Sequence, residues 1–286
     1  MPAREAAPCH AHQPQHRFLP PPVLPAVRSI GWKHPLSWLA RGARDMARAP
    51  SLSLAHGLVL TLIGFLILTL GHNRFWLMAG ALSGFLIVGP VVATSLYAIS
   101  RALERGEAAD LSLVRRTWTR WQNCHVAKAD GQGGYWCLVQ FGLLLSLAAT
   151  GWVLVSASLI TVLSPVRIAT PADFVQHVVL ARDGQLFAIW LALGSFLAAP
   201  IFASSVVAMP LMLDRRVTVR QAVLTSWLAV LANPVPLALW AALIVLLTLL
   251  GLGSWLLGLV AVMPLLGHAS WHAYRDLVDA SAFPAR

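Results

Sequence analysis

Two histidines and an aspartate near the C-terminus have a spacing that suits a metal ion or a haem. His268, His272 and Asp276 follow one another at four-residue intervals, which places them on one face of a helix. Imidazole and carboxylate groups are common ligands of transition metals, and imidazole also binds haem iron. A structural interpretation competes with this one and is the one we favour. Trp271, His272 and Tyr274 would suit the end of a helix at the headgroup level of a membrane.

A further histidine is expected at the same depth as this pair. His56 lies five residues after Ser51 in the first long apolar block, and His268 lies near the end of the last one. At about 1.5 Å per helical residue, His56 comes out about 7 to 8 Å, and His268 about 9 Å, from the same boundary of the hydrocarbon core. The hypothesis that competes with the structural interpretation is therefore a metal site formed by His56, His268 and His272. A metal or a haem would be its cofactor, and no other cofactor is expected.

The sequence carries no recognisable catalytic motif. It contains no HExxH, no GxSxG, no phosphate-binding loop and no paired carboxylates. Cys9, His10 and His12 lie close together, but a proline-rich segment with no second ligand pair suits a metal poorly. No acidic residue lies well inside an apolar block, which argues against a proton-driven carrier. We predict no catalytic residues and no enzymatic activity.

The composition is that of a chain embedded in a bilayer. Of 286 residues, 58% are hydrophobic and 11% are charged, and the mean hydropathy is +0.70. A soluble domain carries about 25% charged residues. The net charge of +10 resides in particular connecting segments, without a basic run interleaved with aromatics, so nucleic acid is not an expected partner. The predicted fold class is an all-α, polytopic membrane helical bundle.

Six apolar blocks are long enough to cross a hydrocarbon core of roughly 30 Å as helices. The predicted spans are Ser51–Leu70, Phe75–Tyr97, Tyr135–Val162, Gln185–Met209, Val235–Leu250 and Ser254–Tyr274. Residues 1–33 are predicted to be a disordered tail. Residues 34–286 are predicted to be a six-helix membrane domain that begins with an amphipathic surface helix. The fifth block is the shortest, so a four-span chain with a buried final hairpin is the alternative.

The distribution of basic residues predicts the orientation. Eighteen of the 21 Lys and Arg residues lie in segments 1–50, 98–134, 214–234 and 275–286. Only three lie in the connections on the opposite side of the predicted spans. Basic connections stay on the cytoplasmic side of a membrane. Both termini are therefore predicted to be cytoplasmic.

The chain also shows a threefold internal repeat. The second, fourth and sixth blocks each carry a glycine, five further residues, a proline, two apolar residues and a small residue. The prolines are Pro90, Pro200 and Pro264. Each pair of blocks is preceded by a Ser/Thr-Trp dipeptide, which ends at Trp38, Trp118 or Trp227. Proline removes a backbone donor and kinks a helix, so the three prolines are predicted to be structural kinks.

Parallel repeats of this kind occur in transporters, which makes a small-solute transporter or channel the first alternative function. A pore would need polar side chains on facing helices. The candidates are Thr94, Ser95, Ser204 and Ser205. Hydroxyl groups in such helices often bond to their own backbone instead.

Four stretches of the sequence resemble a known family. They are GPVVATSLYAISRALERGE at 89–107, MPLMLDR at 209–215, LANP at 231–234 and PLLGHASWHAYRDLV at 264–278. Across residues 36–280 the chain is similar to bacterial membrane proteins of domain of unknown function 2189. The resemblance implies a multi-spanning protein of the bacterial inner membrane and supplies no catalytic residues. Some members carry names of cytochrome oxidase subunits, which implies a haem- or metal-handling accessory of a respiratory complex as a second alternative.

The predicted function is that of a structural, assembly or regulatory membrane component. Its predicted partner is the lipid bilayer, together with another membrane protein or a second copy of the chain.

Overall fold

The computed structural model describes residues 24–71, 80, 81, 84, 85, 89–122, 136–182 and 184–286. Helices dominate this part of the chain. They are α1 His34–Arg48, α2 Pro50–Gly71, α3 Gly89–Val92, α4 Thr94–Glu104, α5 Leu111–Gln122, α6 Trp136–Leu163, α7 Pro171–Phe174, α8 Gln185–Ser205, α9 Ala208–Asp214, α10 Val219–Ala232, α11 Pro234–Gly253 and α12 Leu259–Leu277. A π-helical turn, Val175–Val179, follows α7. Two short strands, β1 Ala26–Val27 and β2 Val278–Asp279, lie near the ends of this part.

Four helices are long and apolar enough to cross a membrane. They are Pro50–Leu70, Leu138–Leu163, Gln185–Asp214 and Pro234–Gly253. Each carries exposed leucines, for example Leu62, Leu147, Leu191 and Leu246. Surfaces of this kind are unfavourable in water and suit hydrocarbon. The prediction of an all-helical membrane protein is confirmed, and these helices match the first, third, fourth and fifth predicted spans.

Ten of the 23 residues of the second predicted span lie outside those described. Its described end consists of α3 and α4, which are interrupted at Ala93, three residues after Pro90. Pro200 lies exposed inside α8, whereas Pro264 lies buried inside α12. The two helical prolines thus differ in their surroundings, and comparable kinks at the three positions stay a prediction.

The helix α12 is the centre of the packing, with α1, α2, α4 and α11 against it. Two glycines let its neighbours approach closely. A Cβ atom at Gly42 of α1 would lie 2.8 Å from the backbone nitrogen of Ala269, and one at Gly57 of α2 would overlap the carbonyl oxygen of Val260. Trp271 and Tyr274 of α12 are fully buried. The structure therefore differs from the interfacial anchoring expected for these two residues, because α12 is enclosed by other helices.

The two ends of the described chain lie together. β1 pairs antiparallel with β2, and Arg28 forms an ion pair with Asp279 at 2.8 Å. The Arg28 side chain holds the pKa of Asp279 well below its ordinary value through this hydrogen bond. Arg215, just after α9, pairs with Ala285 in an isolated β-bridge. Residues 24–33 belong to the tail predicted over 1–33, and here the structure differs, because these contacts order them; residues 1–23 lie outside the described part.

Candidate functional site

The helix α12 presents His268, His272 and Asp276 to α1 and its neighbours. His272 Nε2 donates a hydrogen bond to Asp45 Oδ2 of α1 at 2.8 Å. Asp276 accepts a hydrogen bond from Trp38 Nε1 at 2.8 Å and forms an ion pair with Arg41. The four-residue spacing thus does place three polar side chains on one face of a helix, as the sequence suggests.

His268 is fully buried and is bound at both ring nitrogens. Ser100 Oγ lies 2.8 Å from Asp45 Oδ2 and 2.8 Å from His268 Nδ1. An ionised carboxylate can only accept, so Ser100 donates its proton to Asp45 and accepts one from His268 Nδ1. His268 Nε2 lies 2.9 Å from Ser53 Oγ. The hydroxyl proton of Ser53 can point to this nitrogen or to the Ala49 carbonyl oxygen, which is 2.7 Å away.

Asp45 is the charged member of this chain of hydrogen bonds. Burial would raise its pKa, but hydrogen bonds from His272 and Ser100 outweigh burial and hold the pKa of Asp45 below its ordinary value. Its carboxylate is therefore ionised and accepts both bonds. Because these bonds involve a charge in a water-poor site, they are stronger than bonds between neutral groups. We call Asp45, Ser100, His268, Ser53 and His272 the buried polar network.

The buried polar network joins four helices, since its members come from α1, α2, α4 and α12. Asp45, Ser53, Ser100 and His268 are all buried. An imidazole and a hydroxyl could in principle serve general acid–base chemistry, but a substrate would have to reach them. Each of these four side chains has a hydrogen bond to a residue of another helix. The arrangement suits fixing helices in register better than reacting with a substrate.

The predicted metal site at His56, His268 and His272 receives no support from this geometry. His56 lies half-buried on α2, three residues after Ser53, and thus on the same side of that helix. Serine hydroxyls bind both nitrogens of His268. Within the described ranges, no three His, Cys, Asp or Glu side chains are arranged to hold a metal ion. Metal or haem binding stays a prediction.

Two further charged contacts surround the end of α12. Asp214 is buried and accepts hydrogen bonds from Tyr274 at 2.9 Å and Arg105 at 3.2 Å. Glu104 accepts hydrogen bonds from Trp271 at 2.9 Å and Arg275 at 2.9 Å. Glu104 and Arg105 are exposed at the end of α4. Each also binds a partner more than a hundred positions away, which local spacing cannot reveal.

A cavity of about 420 Å3 lies on the other face of α12. Its walls come from α2, α3, α4, α8, α11 and α12. From α12 it receives Met263, Leu266, Gly267 and Ser270, whereas His268 and His272 point away from it to the buried polar network. One helix thus separates a polar network from a mainly apolar cavity.

The four hydroxyls proposed as pore candidates have separate roles. Thr94 donates to the Val91 carbonyl of the preceding helix. Ser95 and Ser204 accept hydrogen bonds from the indole nitrogens of Trp118 and Trp227. Only Ser205 of the four lines the cavity. These groups do not form a shared polar path through the described helices.

Residues 77–214 match the model of a family described as a predicted integral membrane protein, domain of unknown function 2189. The family resemblance is thereby confirmed over residues 77–214, and the chain is an integral membrane protein with several apolar helices. No curated protein and no solved structure matches the chain.

Proposed function

We propose that this protein is a six-span, non-enzymatic component of a bacterial inner membrane with a structural, assembly or regulatory role. The observation that carries the proposal is the buried polar network. Its groups fasten α12 to α1, α2 and α4. Truncating one member would leave a buried polar partner unsatisfied, at a cost of about 1–3 kcal/mol. Such a network favours one fixed arrangement of helices.

The proposal of six spans is supported by the number of crossings needed to bring contacting segments of the chain to the same side of the membrane. The contacts of β1 with β2, and of Arg215 with Ala285, hold three parts of the chain on one side. Three of the four candidate spans lie between β1 and Arg215, so a return to the same side requires one more crossing. The predicted span Phe75–Tyr97 supplies it. After Arg215, only Pro234–Gly253 is a candidate span, and in this proposal α12 provides the return to β2.

Orientation follows from charge. The shared side carries Arg28, Arg215, Arg216 and Arg286, and the basic connections of the chain lie on this side. By the tendency of Lys and Arg to remain in the cytoplasm, both termini are cytoplasmic in this proposal.

The structural role is tested by comparing Ser→Ala variants, each of which removes one hydroxyl group. Ser53→Ala and Ser100→Ala each remove a partner of His268. Ser146→Ala is the matched control, because the exposed Ser146 hydroxyl only bonds to Gly142 of its own helix. We expect the first two variants to unfold at lower denaturant concentration in mixed micelles and the control to resemble the natural protein. Equal stability of all three variants would contradict the proposal.

The same purified protein separates this proposal from the haem or metal alternative. Its absorption spectrum and metal content should show no haem band and no stoichiometric metal. A band or a bound metal that His268→Asn removes would overturn the structural assignment and restore the predicted site at His56, His268 and His272.

A further inference from the structure

We propose that the cavity beside α12 binds one hydrocarbon chain of a bilayer phospholipid, with the polar end of the lipid near Tyr97, Ser205 and Ser270. The proposal concerns a ligand site and goes beyond the structural role assigned to the buried polar network. A volume of about 420 Å3 falls in the range of ligand cavities and far exceeds the small voids of a packed interior.

The cavity has the length of a lipid chain rather than the shape of a compact solute site. On α11 its lining residues recur at every fourth position from Trp240 through Ile244 and Thr248 to Leu252. These positions share one face of the helix. Twelve residues at about 1.5 Å each give a wall of about 18 Å along the helix axis, which is more than half of a hydrocarbon core of about 30 Å.

The polar groups of the cavity are concentrated toward one end. Tyr97 lies one turn before Arg101 on α4, and Ser270 lies five residues before Arg275 on α12. Ser205 ends α8, and α9 continues from there to the charged Asp214. Tyr97 and Ser270 therefore place this end of the cavity near charged helix ends, where lipid headgroups are found. Toward the other end the walls are mainly apolar; Leu60 and Leu252 contribute to them, and Thr248 adds one hydroxyl group there.

The cavity reaches the surface that faces lipid. Val245 and Leu249 line it, yet they are 57% and 59% exposed. Both belong to a helix long and apolar enough to span the membrane. The opening beside α11 is therefore in contact with hydrocarbon, and a molecule that enters there comes from the bilayer. A water-soluble solute would first have to leave water for this apolar phase, which is unfavourable for polar groups.

Photolabelling of the full-length protein tests the inference. The protein is reconstituted in phosphatidylcholine vesicles that contain a small fraction of phosphatidylcholine with a diazirine in one acyl chain. The labelled residues of α11 are then identified by mass spectrometry. We expect label at Ile244, Thr248 and Leu252 in the cavity as well as at the exposed Leu246 and Leu250. Label confined to the two exposed leucines would overturn the proposal.

A pair of variants on one helix separates cavity binding from general contact with lipid. Thr248→Phe fills the cavity, whereas Leu246→Phe makes a change on the exposed side of the same helix. Thr248→Phe should lower labelling at Ile244 and Leu252 several-fold, relative to Leu250 in the same molecule, and Leu246→Phe should not. Unchanged cavity labelling in Thr248→Phe would contradict the proposal. If that variant does not fold, Ser205→Leu fills the same space from α8.

Discussion

The indole nitrogen of Trp118 donates a hydrogen bond to Ser95 Oγ at 2.7 Å, across 23 residues of chain. Trp227 donates to Ser204 Oγ at 3.0 Å across the same separation of 23 residues. In both cases the tryptophan belongs to the Ser/Thr-Trp dipeptide of a surface helix, and the serine follows a repeat proline by four or five positions. Trp38, from the first dipeptide, instead binds Asp276 on the last helix. These contacts are the ones expected if the three predicted repeat units are arranged in a closed ring, with Trp38 of the first unit contacting the last helix of the third. The threefold repeat itself stays a prediction.

We expect the three tryptophans to contribute unequally to stability. Trp118→Phe and Trp227→Phe each lose one hydrogen bond to a serine, which should lower the free energy of unfolding by about 1 kcal/mol. Trp38→Phe loses a bond to the Asp276 carboxylate and disturbs an edge-to-face contact with Trp240, so its loss should be about 2–3 kcal/mol. Denaturant titration in mixed micelles measures all three.

Trp255→Phe is the control for the tryptophan series, because Trp255 is 82% exposed. It should have no measurable effect on unfolding. A Trp38→Phe variant as stable as Trp118→Phe would contradict the assignment of a stronger contact at Asp276.

Asp45→Asn should destabilise the protein although the two side chains have nearly the same shape. Asp45 Oδ2 accepts hydrogen bonds from both Ser100 and His272. The asparagine amide removes the negative charge and can direct its own donors at one of them. We expect a loss of about 2–3 kcal/mol in the free energy of unfolding.

Asp110→Asn makes the same chemical change at an exposed position, where asparagine can still accept a hydrogen bond from the Leu113 backbone. This control should unfold like the natural protein in the same micelle titration. Equal losses at Asp45 and Asp110 would show that the buried polar network does not depend on charge.

The sequence predicts well which helices can cross a membrane, and it predicts poorly which residues those helices contact. Four spans follow from long apolar runs, because crossing hydrocarbon demands them. The common face of His268, His272 and Asp276 follows from the period of a helix. Neither argument says which helix meets that face. Asp45 lies 227 residues from His272 and 55 from Ser100, so its role depends on tertiary packing.

The same limit applies to the charged residues at the end of α4. A charged helix end has the same local sequence whether it meets water or another helix. Arg101 binds the Leu213 carbonyl, and Glu104 binds Arg275; both partners come from distant segments.

Gly57→Ala should separate α2 from α12. A Cβ atom at this position would overlap the Val260 carbonyl oxygen, and backbone cannot move aside as a flexible side chain can. We expect a loss of about 1–3 kcal/mol in the free energy of unfolding, as for other overpacked sites. Gly151→Ala in α6 is the control, because a Cβ atom there meets nothing within 4 Å. The control should leave stability unchanged or raise it by up to about 1 kcal/mol, and the reverse order would contradict the close approach of α2 and α12.

Topology reporters should place four positions in the cytoplasm and two outside. Single cysteines at Ala49, Asp110, Arg220 and Ala285 should resist a membrane-impermeant maleimide in intact cells and react after lysis. Cysteines at Asp173 and Gly253 should react in intact cells.

The packing makes one part of this result independent of orientation. Arg28 contacts Asp279, and Arg215 contacts Phe283, so the segments that contain Ala49, Arg220 and Ala285 should lie on the same side of the membrane. Labelling of Arg220→Cys and Ala285→Cys on opposite sides would therefore contradict the packing itself. Labelling of all four cytoplasmic positions from outside would instead preserve the six spans and reverse the orientation inferred from the basic residues.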